Sequence, residues 1–208
     1  INPFKTPLYG LSIYTVMKLF GDQPGLIGSP EFTRTTRHLM LVQQLLAIVG
    51  VIILFKLAIL ITKSPNLSLM VALLHGVNLL NLPWERSMLT ESLGTLWVIT
   101  YTYLMVLILQ KPKFRYFFCL FLISVLGFLL RPALILIPVM GPIFISVIIK
   151  KSQIIKFSAV LLFLYLSVIW IFIRLNNLNW QYRGIQITGD INLLGKVLQY
   201  NLPIESVK

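Results

Sequence analysis

Acidic side chains are scarce in this chain. Six Asp and Glu stand against 18 Lys and Arg, for a formal net charge of +12. In a water-soluble domain such a surplus would point to nucleic acid. Here the bases alternate with long apolar runs, so nucleic acid is excluded as a partner; orientation in a bilayer and anionic lipid head groups account for them. Cysteine is nearly absent: Cys119 stands alone inside an apolar run. That excludes a disulfide within the chain and a thiolate metal cluster. There is no HExxH, CxxC or GxSxG motif and no glycine-rich phosphate loop, which removes the metalloprotease, thiol-redox, serine-hydrolase and P-loop classes. A basic-then-apolar leader is missing as well. With Ile1 at one end and Lys208 just after a polar stretch at the other, the chain reads as a fragment of a longer protein.

What is abundant is apolar. Hydrophobic residues make up 57% of 208 positions, and mean hydropathy is +0.87. Several runs approach or exceed the ~18 residues that mark a membrane-crossing helix. The expected fold is all-α: a polytopic helical transmembrane bundle of about six spans, preceded by a helix lying in the membrane interface. That first helix is "LYGLSIYTVMKLF", whose Tyr9, Tyr14 and Lys18 suit the head-group layer.

The expected spans are 39–62, 67–84, 93–110, 116–130, 133–149 and 157–173, broken by "SPN", "ERSMLTES", "KPKFR", the Arg131–Pro132 stop and "KKSQIIK". Domain limits follow: 1–38 as an outer loop with the interfacial helix, 39–173 as the bundle, 174–208 as an outer tail that begins a further segment. Pro138 and Pro142 are expected to bend the fifth span. Basic residues in short loops are Lys63, Lys111, Lys113, Arg115, Lys150, Lys151 and Lys156, with no acid among them. That end is expected to be cytoplasmic. The opposite end carries Asp22, Glu31, Glu85, Glu91, Asp190 and Glu205.

Glu91 opens an inward-going span and Arg131 closes an outward-going one, so both belong to the outer end. The fourth span is short: at ~1.5 Å per residue, residues 116–130 reach only ~22 Å against a hydrocarbon core of ~30 Å. An arginine at that depth requires a carboxylate, a phosphate or water, and its planar fork suits phosphate. The bland alternatives stay open. Arg131 snorkels and ends a helix, or Glu91 merely complements a helix dipole behind the N-cap Thr90. Glu85 and Arg86 also read as a loop pair. His38, close to Arg34 and Arg37 at the outer end of the first span, is a further site candidate. His75, one turn from Asn78, reads as a polar contact between helices. Trp84, Trp97, Trp170 and Trp180 read as interface or packing aromatics.

Taken in order, "TPLYGLSIYTVMKLFG", "TRHLMLVQQLLAIVGVIILF", "LTESLGTLWVITYTYL" and "FLISVLGFLLRPALILIPV" make a sequence that resembles the GT-C class of polyprenyl-phosphate-sugar glycosyltransferases. The nearest flavour is the bacterial relatives of protein O-mannosyltransferases and aminoarabinose transferase. The counterparts of the family's motifs are Pro7 to Phe20, Gln44 to Gly50, Thr90 to Leu93 and Gly127 to Pro132, and "WQYRGIQITGDINLLGK" is similar to an outer segment after a later helix.

The resemblance implies sugar transfer from a polyprenyl-phosphate donor to a glycan, lipid or protein acceptor on the non-cytoplasmic face, in a bacterial plasma membrane, with membrane lipids as neighbours. It assigns Glu91 to the reaction centre, orienting the acceptor or helping to hold a divalent metal. Arg131 and Arg86 would bind the donor's phosphate. Relatives carry an arginine shortly before the glutamine of the first span; here Met40 and Leu41 stand in that neighbourhood, and Arg37 and Arg34 are the substitutes one or two turns earlier. The family's catalytic carboxylate precedes the first amphipathic helix, whereas Asp22 and Glu31 follow it, so that acid is expected upstream of Ile1. A membrane transporter or lipid flippase is the alternative, supported by the bent "PVMGP" segment and the buried polar groups; a structural membrane subunit is the third.

Overall fold

A computed structural model describes residues 7–23, 29–77, 91–149 and 152–181, and every regular element among them is helical. The elements are α1 (Pro7–Phe20), α2 (Pro30–Thr62), α3 (Pro65–Gly76), α4 (Glu91–Gln110), α5 (Phe114–Leu130), a 3₁₀ turn (Pro132–Ile135), α6 (Leu136–Ile149) and α7 (Ser152–Trp180). Among the described residues, four helices are long and apolar enough to cross a membrane, with α5 and most of α1 as shorter apolar helices. The fold is an all-α membrane bundle.

Local chemistry sets the breaks. Ser29 caps α2 by accepting the Phe32 amide hydrogen at 3.1 Å, with Pro30 in the first turn, where its missing N–H costs nothing. Ser64 and Pro65 repeat the device at α3. Lys63 closes α2 in the left-handed region at φ 56°, its amide bonded to Ile59, so α2 and α3 turn back sharply on one another. The residue before a proline is pushed to extended backbone. Arg131 obeys this at φ −149°, ψ 121°, which stops α5. Helix α5 therefore has 17 residues, or about 25 Å at 1.5 Å per residue, still short of a ~30 Å hydrocarbon core.

The outer surface is apolar. Leu45, Ile48, Ile52, Phe144, Phe163 and Leu178 are among many large exposed side chains, while Gln43, Ser68, Ser124, Ser158 and Asn176 are buried. Water would invert that pattern; lipid favours it. The main core lies where α4 and α5 meet α6 and α7, through Trp97, Tyr101, Ile108, Phe117, Leu120, Ile145 and Leu161. A second cluster joins Phe128 of α5 to Tyr165, Ile169 and Phe172 of α7.

Helix limits differ from the apolar runs in several places: α7 begins at Ser152, inside the expected "KKSQIIK" loop, and the fifth span opens with a 3₁₀ turn. Helix α2 begins at Pro30 rather than at Leu39, because Ser29, Pro30 and Glu31 start a helix irrespective of membrane depth. Helix α7 continues past Ile173 to Trp180. Arg174 lies over the Trp170 ring, 5.5 Å from its centre, and Asn179 donates to the Leu175 carbonyl at 2.9 Å. Polarity marks where a chain leaves lipid, and a helix does not need to stop there. The expected span 67–84 is described only to residue 77; Asn78, Trp84, Glu85 and Arg86 lie outside the described residues.

Helix α1 packs against α2 and α5 with Val16 buried, while Leu11, Tyr14 and Leu19 face outward. Its Leu8 shares an apolar groove with Val49 and Ile53 of α2, Leu93 and Leu96 of α4, and Leu130 of α5.

Candidate functional site

Two glycines set the register that builds the site. Trp97 of α4 donates its indole N–H to the Ile123 carbonyl in α5. It fits because Gly127 has no side chain, and a Cβ there would collide with the indole ring. One turn toward the helix ends, the Arg131 Cδ lies 3.8 Å from where a Cβ on Gly94 would stand. The pairs 97 with 127 and 94 with 131 define one antiparallel contact. Arg131 thus runs its stem over the first turn of α4. Glu91, the first residue of that helix, is three positions before Gly94 and therefore on the same face. The Ser92 hydroxyl beside it is buried and has no hydrogen-bond partner among the described residues. The Glu91 side chain itself lies outside the described structure, as does all of Arg86.

Helix α2 supplies the wall opposite. Leu96 Cδ1 lies 3.5 Å from a Cβ position on Gly50, and the Gln110 amide donates to the Leu60 carbonyl at 3.0 Å, so α2 and α4 run parallel. At ~1.5 Å rise per residue, Gln43 stands about 10 Å from the Gly50 level, and Glu91 about 7–8 Å from the Leu96 level. Gln43, 2% exposed, is therefore nearly level with Glu91. The same count puts His38 about 10 Å farther out.

At that outer level is a second polar cluster. Asp22, just past α1, has a side chain with no solvent exposure. One carboxylate oxygen lies 2.8 Å from Arg34 Nε, and the other is 2.7 Å from His38 Nδ1. Arg34 and His38 are one turn apart on α2, which lets both reach one acid. Phe20 stacks on the His38 ring at 4.3 Å and 15°. The histidine contact, with help from Arg34 and against the opposing effect of burial, holds the Asp22 carboxyl below its ordinary value of 3.8. Arg37, on the same helix, is exposed.

Of the residues singled out in the sequence, Arg34 and His38 come together around Asp22, and Arg131 meets the turn that begins with Glu91. Both groups are at the end of the bundle away from Lys63, Lys111 and Lys113. Among the described residues, no group of three or more His, Cys, Asp or Glu converges as a metal site would require. Asp22 follows the amphipathic helix, so the family resemblance does not mark it. The sequence signal for its two contacts is the arginine–histidine pair one turn apart downstream. Gly94, Trp97 and Gly127 shape the site without carrying chemistry.

The chain matches the family model described as dolichyl-phosphate-mannose-protein mannosyltransferase over residues 31–180, which is most of its length and includes α2 through α7. No curated protein and no solved structure gives a significant match.

Proposed function

Since the chain belongs to the dolichyl-phosphate-mannose-protein mannosyltransferase family, a family of membrane glycosyltransferases of the GT-C type, we propose that its reaction centre is formed where Arg131 crosses the first turn of α4 at Glu91. The reaction is transfer of a sugar from a polyprenyl-phosphate donor to an acceptor hydroxyl on the non-cytoplasmic side. A bacterial plasma membrane, with 1–38 and 174–208 as outer segments around the 39–173 bundle, is the setting. Seven basic residues and no acid in the short loops of the other end support that orientation.

The observation that carries the proposal is the 3.8 Å approach of the Arg131 stem to Gly94. It brings a permanent cation to the helix turn that begins with Glu91, at the outer end of a helix too short to cross a bilayer by itself. A guanidinium there suits a phosphodiester: it binds the donor and stabilises the charge that grows on the departing phosphate. Glu91, at the helix N-terminus, orients the acceptor hydroxyl. Arg34 and Arg37 extend the positive surround along α2, and His38 and Arg86 are further candidates for binding the donor. The leaving group is an acidic phosphate, so the protein needs no general acid for its departure, unlike a glycoside hydrolase.

The test is turnover in membranes that contain the full-length protein, including the upstream segment expected to carry the catalytic acid, read as release of polyprenyl phosphate. Glu91→Gln and Arg131→Ala each abolish turnover while leaving membrane insertion and abundance at wild-type levels. Wild-type turnover in both variants removes this turn from the reaction.

A further inference from the structure

A groove between α6 and α7 opens at the end of the bundle away from Arg131, apart from the proposed reaction centre. Its volume is about 320 Å³. Pro142 and Ser158 are buried within it, and Ile143, Val147 and Ile155 stand exposed along its sides. Ser158 is 2% exposed, and its hydroxyl has no hydrogen-bond partner among the described residues. Other serines of the bundle donate to the carbonyl four residues back: Ser124 to Leu120, Ser146 to Pro142 and Ser167 to Phe163. A buried hydroxyl left unpaired is destabilising, so Ser158 calls for an acceptor that the surrounding helices do not bring.

Charge at this end is of one sign. From Ser92 to Gly189 the sequence contains no Asp or Glu, so α4 through α7 offer a cation no carboxylate beyond Glu91 at the far end. Lys156 is exposed on α7, three positions before Ala159 of the groove wall and so on the same face. In sequence the link between the two helices is Lys150–Lys151. At ~1.5 Å per residue, Ser158 is about 3 Å deeper along α7 than Lys156. Leu162, also in the groove, is about 6 Å deeper again. A cation, a hydroxyl and a hydrocarbon wall thus follow one another into the membrane. A glycerophospholipid presents matching groups in that order: phosphate, ester carbonyl, acyl chain.

We propose that this groove is a binding site for one anionic glycerophospholipid. The Lys156 ammonium extends toward the head groups and pairs with the phosphate. The Ser158 hydroxyl donates to an ester carbonyl, and an acyl chain lies against Ile143, Val147 and Leu162. Inorganic phosphate would leave the apolar walls bare, and a polyprenyl phosphate has no ester carbonyl for Ser158. A zwitterionic lipid brings its own ammonium, which competes with Lys156 for the phosphate. The site is independent of the Glu91–Arg131 reading.

The test reconstitutes the full-length protein in phosphatidylcholine vesicles with a trace of phosphatidylglycerol that carries a photoreactive diazirine in one acyl chain. Cross-linked peptides are then mapped. Adducts should fall on residues 142–147 and 155–162. Unlabelled phosphatidylglycerol should displace the probe, while the same amount of added polyprenyl phosphate should not. Lys156→Gln lowers labelling there about fivefold, the contribution of one basic residue near a membrane surface, and Lys156→Arg restores it. Ser158→Ala lowers labelling about 2- to 10-fold, the range of one net hydrogen bond, without lowering the detergent midpoint of unfolding. A serine with only a packing role would give the reverse. Equal labelling by a phosphatidylcholine probe, or adducts unchanged in Lys156→Gln, overturns the inference and leaves the groove to bulk lipid. Displacement by polyprenyl phosphate overturns it in favour of the donor's chain, and adducts confined to other helices overturn it outright.

Discussion

Gly127→Ala is the smallest change that attacks the contact on which the site depends. The added methyl falls on the indole ring of Trp97, which is 5% exposed and borders the apolar groove between α2, α4 and α5. Either α4 and α5 separate or the indole turns and loses its bond to the Ile123 carbonyl. Overpacking of a dense core costs about 1–3 kcal/mol, and a net hydrogen bond about 0.5–1.5 kcal/mol. The loss is about 1–3 kcal/mol if the helices separate, and up to about 4.5 kcal/mol if the indole bond is lost as well, a large share of a folded domain's margin. The assay is unfolding in mixed micelles with increasing denaturing detergent, followed by tryptophan fluorescence. Trp97→Ala alone is also destabilising, since it empties a core position by about 3–5 kcal/mol. In Trp97→Ala the methyl at 127 has room, so the double variant is no worse than Trp97→Ala. That gives a coupling energy of about 1 kcal/mol or more, in the range expected of touching residues. Additive losses, or a Gly127→Ala protein with wild-type stability, refute the register.

Two further outcomes follow from the same structure. Asp22 has a folded-state pKa below its ordinary 3.8, so its contribution to stability is present above that value and is lost as pH falls through the lower, folded one. Acid unfolding of Asp22→Asn therefore lacks a component that the wild type shows below about pH 4, where an ordinary aspartate begins to protonate. Ser29→Ala removes the cap on α2 and lowers stability by about 1 kcal/mol, seen as a lower detergent midpoint with turnover otherwise retained.

The class of fold was legible in hydropathy, because lipid imposes long apolar helices whatever their partners. Breaks at Ser64–Pro65 and Arg131–Pro132 were legible too, since proline and serine act on their nearest neighbours. Helix ends beyond the lipid were less so. Arg174, Asn176 and Asn179 signal departure from the hydrocarbon, yet α7 extends through them to Trp180. The site was half legible. Glu91 and Arg131 could be given to one end by counting crossings, but only tertiary packing brings Arg131 to Gly94. Asp22 could not be ranked from sequence. Its burial depends on α1 folding back against α2 so that Phe20 covers His38, and no local pattern encodes that return. At Gly127 no local pattern announces the indole that fills the space the glycine leaves.

The most direct measurement replaces both ends of the proposed pocket with thiols. Cys119 is the sole native cysteine, so a Cys119→Ser background carrying Glu91→Cys and Arg131→Cys has two reactive groups. A membrane-impermeant thiol reagent should modify both from the non-cytoplasmic side, and a short bifunctional maleimide should bridge them within one chain. Modification from opposite sides of the membrane, or two accessible thiols that never bridge, would contradict a shared pocket for the acid and the guanidinium.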